Sequence, residues 1–276
     1  MFAEINSVKN LNVMNIIISG GHSGMGYELS KKLLSKGHKV GLIVRNAKRK
    51  EEAKRLFATE SSLDVFIADL SKREQIETVA HEIKSSWTRL DGIFNNAGVL
   101  LDKLYYSDYG NELQLEINAI SPYLLTKALL TILETSESPF VVSTATAGLH
   151  NKKNMDITAF KTPKKFTKLM GSYMDSKLTL VVLMNRLSRQ FKKVRFINVD
   201  PGAIKTKMTS GSGMPILLRP IRNLFFKSPE YGANSLYNGA FNKNHQGSGI
   251  YLSGDKVKPI RVTISDEEIE RLLMIT

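Results

Sequence analysis

Apolar positions along this chain fall into two alternating patterns. Short runs rich in β-branched and aromatic residues occur at 16–18, 40–44, 63–68, 90–94, 140–143, 194–199 and 249–252. Their length and continuity predict strands buried on both faces. Between them apolar residues recur every three or four positions, as in Met25, Leu29 and Leu33, in Ile76, Val79, Ala80 and Ile83, and in Leu180, Leu183, Leu187 and Phe191. That period predicts amphipathic helices. Gly37 stands where the first helix needs a C-cap, Pro122 interrupts a long helix over 113–133, and helices are expected over 173–191 and 229–242. Ser265 with Glu268 forms a capping box for a short helix. Strand and helix alternate with no linker and no internal repeat. The prediction is an α/β fold: one doubly wound parallel sheet with helices on both faces, forming a single domain over 1–276.

Two segments break the alternation. Residues 150–166 are polar and lysine-rich, without a period, and are expected to form a loop over the site. Residues 203–227 hold Gly211, Gly213, Pro215 and Pro220 among apolar residues, the composition of a flap.

Composition narrows the classes. The 276 residues include no cysteine, which excludes disulfides, thiolate metal sites and a cysteine nucleophile. The five histidines, His22, His38, His81, His150 and His245, show no ligand spacing, so no metal is expected. A net charge of +13 raises the question of nucleic acid. The basic residues are spread out, with short clusters at Lys48-Arg49-Lys50, Lys152-Lys153 and Lys164-Lys165, and no nucleic-acid motif accompanies them. A basic surface also suits an anionic cofactor. The longest apolar run, 178–184, is far below the roughly 18 residues of a membrane span. Residues 1–12 carry neither a basic nor an apolar leader region, and a cytoplasmic protein is expected.

The candidate chemistry sits at strand ends. The first strand runs into Ser19-Gly20-Gly21-His22-Ser23-Gly24-Met25-Gly26 and then a helix. Such a corner lets backbone N–H groups approach a pyrophosphate. Arg45 ends the second strand, where an acid would grip the ribose of NAD and an arginine suits the 2′-phosphate of NADP. Asp69, ending the third strand, either accepts from an adenine amino group or caps the next helix. Asn95-Asn96-Ala97-Gly98 ends the fourth, Thr144 follows the fifth, and Pro201-Gly202 follow the sixth. Asn118 precedes the helix-breaking Pro122, and Tyr173 and Lys177 share one helical face at i,i+4. A phenol, a hydroxyl and an ammonium beside a nicotinamide suit carbonyl reduction. The lysine is expected to lower the phenol pKa.

These residues together resemble the short-chain dehydrogenase/reductase family, over 16–252. Ser19-Gly20-x-x-x-Gly24-x-Gly26 is similar to its cofactor glycine motif, Asn95-Asn96-Ala97-Gly98 to its sheet motif, and Tyr173-x-x-x-Lys177 to its active-site pair. Ser228-Pro229-Glu230-x-Gly232-Ala233 and 173–191 resemble the retinol-dehydrogenase-like and carbonyl-reductase branch. The resemblance implies a Rossmann sheet and an NADP(H)-dependent oxidoreductase that moves a hydride between nicotinamide and a small-molecule carbonyl or alcohol. It casts Tyr173 as general acid, Lys177 as its partner and ribose ligand, and Asn118 as support of a proton relay. Gly20, His22, Ser23, Gly24, Met25, Gly26, Arg45, Asp69, Asn96, Ala97, Gly98, Pro201, Gly202, Ile204 and Thr206 then bind cofactor. Where the family usually has a catalytic serine this chain has Thr144, with Ser143 the alternative through a register shift. His150 and the flap border the substrate. Met208, Met214, Ile216, Leu217 and Leu218 either face an apolar ketone or aldehyde or simply pack. A redox-sensing NADP-binding regulator without turnover is the alternative reading. Family members often pair through the helices holding Leu113 and Tyr173, which is compatible with a homodimer or homotetramer.

Overall fold

The computed structural model describes residues 13–153, 155–156, 160–163, 166–214, 225–245 and 247–274. Seven strands run parallel: β1 (Asn15–Ser19), β2 (Lys39–Val44), β3 (Leu63–Ile67), β4 (Gly92–Asn95), β5 (Phe140–Thr144), β6 (Arg195–Asp200) and β7 (Ile250–Ser253). An eighth, β8 (Lys256–Lys258), pairs antiparallel to β7. The order is β3-β2-β1-β4-β5-β6-β7-β8. The chain therefore reverses direction across the sheet between β1 and β4, which leaves a crevice at their carboxyl ends. The sequence pattern does not reveal β8, because Lys256-Val257-Lys258 is short and mostly exposed.

Strands β1, β2, β4, β5 and β6 bury both faces, as their continuous apolar runs require. Ile17, Ile93, Val141 and Phe196 point into one core, and Ile16, Ile18, Phe94 and Val142 into the other. Helix α1 (Gly24–Ser35) packs Leu29 and Leu33 on the second core. Both are fully buried, and each contributes about 1.5–3 kcal/mol. Gly37, at φ +80°, ends that helix, its N–H donating to Leu34 O at 2.8 Å. Helix α2 (Ala47–Leu56) escapes the apolar pattern because Ala53 is its one buried residue. Helix α3 (Arg73–Ser86) buries Ile76, Val79, Ala80 and Ile83, as their spacing predicts.

The predicted long helix is broken into α4 (Leu113–Leu115), a π-turn over Glu116–Ile120, and α5 (Ser121–Leu133). Pro122 has no N–H for the Asn118 carbonyl four residues earlier, and the chain widens its helical turn there. A second π-turn, Lys168–Tyr173, leads into α6 (Met174–Gln190). Then come α7 (Lys207–Ser210), α8 (Pro229–Phe241) and α9 (Asp266–Leu273). The capping box is present: Glu268 N donates to Ser265 Oγ at 3.1 Å, and Ser265 N to Glu268 Oε2 at 2.8 Å. Helix α9 buries Ile269 and Leu272 in the first core. Arg73 Nη1 donates to Leu273 O at 2.6 Å, and Arg186 pairs with Asp266.

Of the predicted loop over 150–166, residues 154, 157–159 and 164–165 lie outside the described residues. The rest holds a short 3₁₀ turn at Leu149–Asn151 and a Lys152–Asp175 ion pair. Of the predicted flap, Pro215, Ile216, Leu217, Leu218 and Pro220 lie outside the described residues. Its two flanks are pinned together: Lys205 N donates to Lys227 O at 2.9 Å and Lys227 N to Ala203 O at 2.8 Å.

Candidate active site

A cleft of about 710 Å³ opens at the carboxyl ends of β1 to β6, within the ~300–1,000 Å³ usual for small-molecule sites. Every residue assigned to cofactor or catalysis from the sequence lines it except Asn118. The glycine turn forms its floor. A Cβ on Gly26 would stand 2.3 Å from Gly20 O, so only glycine lets α1 start against the end of β1. Ser23 precedes α1 in extended backbone and its side chain makes no capping bond. The first-turn N–H groups are thereby left to an anion.

Ser19 and Asn96 hold this floor. Ser19 Oγ accepts from Asn96 N at 3.1 Å and Ala97 N at 3.0 Å, and Asn96 Nδ2 donates to Ser19 O at 3.0 Å. Asn95 turns the other way, with Nδ2 bonded to Thr126 Oγ1 at 3.0 Å and Ser143 Oγ at 3.4 Å. The β4 end thus sends one asparagine to each side, which ties the sheet to α5 and to the glycine turn.

At one end of the cleft Arg45 Nε donates to Asp69 Oδ2 at 2.9 Å. Asp69 Oδ1 accepts from Ser71 N at 2.9 Å and Ser71 Oγ at 2.8 Å. Burial alone would raise the Asp69 carboxyl, but the Ser71 donors and the Arg45 guanidinium hold it below its ordinary value. Asp69 is not a helix cap: α3 begins after Lys72. His22 faces the same end. Burial, with the Arg49 guanidinium and the Lys207 ammonium against Glu52, lowers its imidazole pKa. Lys207 also lines the cleft, a basic group the sequence reading passed over because it lies in the flap.

At the other end lie Tyr173, Lys177 and Thr144. Lys177 is 2% exposed, and its Nζ donates to Thr144 O at 2.8 Å. Thr144 Oγ1 is buried and has no hydrogen-bond partner. Thr144 lines the cleft, whereas Ser143 is held behind it by Asn95. Asn118 stands behind the cleft. Its Oδ1 accepts from Val99 N at 2.8 Å, and its Nδ2 donates to Val99 O at 2.9 Å and Ser176 Oγ at 3.0 Å. Ser176 Oγ in turn donates to Tyr173 O at 2.7 Å, so Asn118 joins the β4 loop to the start of α6. A Cβ on Gly98 would lie 3.3 Å from Lys177 Nζ and 3.1 Å from Asn118 Oδ1, so glycine leaves room for both.

The electrostatics differ from the expectation in one respect. Burial, and then the negative charge of Asp200, push the Tyr173 phenol up to about 12. Burial brings the Lys177 ammonium down to about 8. The lysine does not lower the phenol pKa here; the desolvation of both groups outweighs their spacing along α6. His150 also departs from the expectation. It is absent from the cleft lining and packs its ring 6.3 Å from that of Tyr251. Met208 lines the cleft, while Met214 is buried. Sequence reasoning missed Thr146, Val99 and Ile117 on the cleft wall, which no motif marks. Among the described residues no cluster of three or more His, Asp or Glu could hold a metal, and no helix is long and apolar enough to cross a membrane.

A doubly wound sheet with a glycine turn, an anion-ready helix start, and Tyr173 and the buried Lys177 lining one cleft defines a dinucleotide-dependent oxidoreductase site. Residues 14–214 match the family model described as short chain dehydrogenase, and the chain belongs to the short-chain dehydrogenase/reductase family. It is similar to retinol dehydrogenase 14 of Mus musculus, 27% identical over 94% of this chain and 83% of that protein. Among solved structures it resembles salutaridine reductase from Papaver somniferum, with TM-score 0.69 and 20% identity over 87% of this chain and 99% of that one. It also resembles ElxO with NADP bound, with TM-score 0.68 and 20% identity over 87% and 96%. The family transfers hydride using NAD or NADP.

Proposed function

We propose that this chain is an NADP(H)-dependent oxidoreductase that reduces a small-molecule carbonyl, or oxidises the matching alcohol, with Tyr173 as proton donor. When bound, the cofactor supplies the hydride. The hydride adds to the carbonyl carbon, the C=O π pair moves onto oxygen, and the alkoxide takes the phenol proton. An alkoxide is far more basic than a phenolate, so a phenol held at about 12 still gives up its proton to it.

Thr144 Oγ1 orients the carbonyl oxygen, its unpartnered state leaving a donor free for that bond. Lys177 holds the nicotinamide ribose, and Asn118 keeps the β4 loop and the Tyr173 turn in register. Arg45, with His22 and Lys207 nearby, takes the 2′-phosphate. Gly20, Ser23, Gly24, Met25 and Gly26 cradle the pyrophosphate. Asp69, Asn96, Ala97 and Gly98 line the nucleoside, and Pro201, Gly202, Ile204 and Thr206 flank the nicotinamide. The catalytic domain spans the sheet, and the described part of the segment near 203–228, from Ile204 to Ser210, borders the substrate.

The observation that carries this reading is the shared cleft. Tyr173, Lys177 and the unbonded Thr144 hydroxyl line the same cavity as the glycine turn and Arg45. The test is a panel of ketones, aldehydes, quinones and retinal, followed by loss of NADPH absorbance. Turnover with none of them, alongside tight NADPH binding, would favour a regulator instead.

A further inference from the structure

Asp200 closes β6 immediately before Pro201 and Gly202, both of which line the cleft. It is 4% exposed. Its Oδ1 accepts from Gly202 N at 2.8 Å and its Oδ2 from Ser253 Oγ at 2.9 Å. Both donors are neutral. Among the described residues no lysine, arginine or histidine pairs with it. A buried carboxylate without a counter-ion is costly, and it strongly favours any positive charge that appears within reach. Burial raises the phenols of both Tyr173 and Tyr251, and the negative charge of Asp200 adds to that rise. The Lys177 ammonium donates to Thr144 O at 2.8 Å and forms no ion pair with Asp200 among the described residues.

Hydride transfer from a reduced nicotinamide creates one new positive charge, on the ring that gives the hydride up. We propose that Asp200 is a positioning charge that stabilises the oxidised, cationic nicotinamide over the reduced, neutral one, and so biases the site toward carbonyl reduction. The same charge keeps Tyr173 protonated, which is the state a proton donor needs. The two effects reinforce each other: the site holds a proton to give and favours the cofactor form left when the hydride has gone. This inference rests on the NADP(H) reading above.

The test is equilibrium binding of NADP⁺ and NADPH, each alone, to the full chain, measured by calorimetry. Asp200→Asn should weaken NADP⁺ relative to NADPH by about tenfold. Asp200→Glu, which keeps the charge, should restore most of the ratio. A role confined to holding the Pro201 turn would weaken both forms alike and leave the ratio within twofold, and that result overturns the proposal. Should Asp200→Asn fail to fold, Ser253→Ala decides. Removing that donor leaves the carboxylate less offset, so NADP⁺ should gain about twofold on NADPH; no gain overturns the proposal. Binding of neither nicotinamide form overturns the NADP(H) reading and this inference together, whereas binding of both with an unchanged ratio overturns the inference alone.

Discussion

The Lys177 ammonium donates to the main-chain carbonyl of Thr144 at 2.8 Å, which couples the first turns of α6 to the end of β5 across the cleft. This single bond sets the ammonium beside the hydroxyl-bearing residue. It is also the one bond among the described residues that the Lys177 charge makes in exchange for its hydration. Stability and chemistry therefore pull against each other at this residue.

Lys177 is held near 8 in the folded chain against an ordinary 10.5. Between those values the unfolded chain carries the extra proton, so folding stability rises with pH from about 8 to about 10.5. Below that window the cost of burying the charge is fully present. Lys177→Met should therefore stabilise the chain at pH 7 by about 1–3 kcal/mol in urea unfolding. The gain should fade above pH 10, while turnover falls to background. A destabilised variant at pH 7 would contradict the buried charge.

Tyr173→Phe keeps the ring and removes the proton. Turnover should drop by about 10³-fold or more, with the NADPH dissociation constant within about twofold of the parent. Retained turnover would remove Tyr173 from the role of proton donor.

Thr144 and Ser143 are adjacent on β5 yet face different surroundings. Thr144→Ala should lower kcat by about 10- to 100-fold with little effect on folding. Ser143→Ala should leave kcat within about threefold and cost roughly 1 kcal/mol, because it takes a partner from the buried Asn95 amide. The reverse pattern would move the substrate-orienting hydroxyl to Ser143.

Arg45 is engaged by Asp69, but such an exposed pair is worth only about 0–1 kcal/mol, and a 2′-phosphate competes for the guanidinium easily. Arg45→Asp should weaken NADPH binding by about 30-fold or more and leave NADH within about threefold. Equal losses for both would refute selection through the 2′-phosphate.

Strands β1, β2, β4, β5 and β6 were legible because both faces are buried, so each appears as an unbroken apolar run; Ile16, Ile17 and Ile18 serve both cores at once. Helix α2 and strand β8 were hidden for the opposite reason, since they bury almost nothing that composition can register. The glycine turn and the Asn95-Asn96-Ala97-Gly98 stretch announce themselves because close backbone approaches tolerate few residue types. The behaviour of the charges was not legible. Spacing along α6 places Tyr173 and Lys177 together, but desolvation decides their pKa values, and it depends on what packs around them. Asp200 is a single polar letter at a strand end, and its charge matters because no cation among the described residues pairs with it.

Helix α9 has a further consequence for how the molecule is made. Its side chains Ile269 and Leu272 complete the core beneath α3 and α6, and Leu273 and Asp266 receive Arg73 and Arg186. A ribosome that has released only residues 1–264 holds a nascent sheet with its catalytic residues synthesised but part of its outer layer missing. Until α9 docks, the apolar surface that Ile269 and Leu272 cover stays open to solvent.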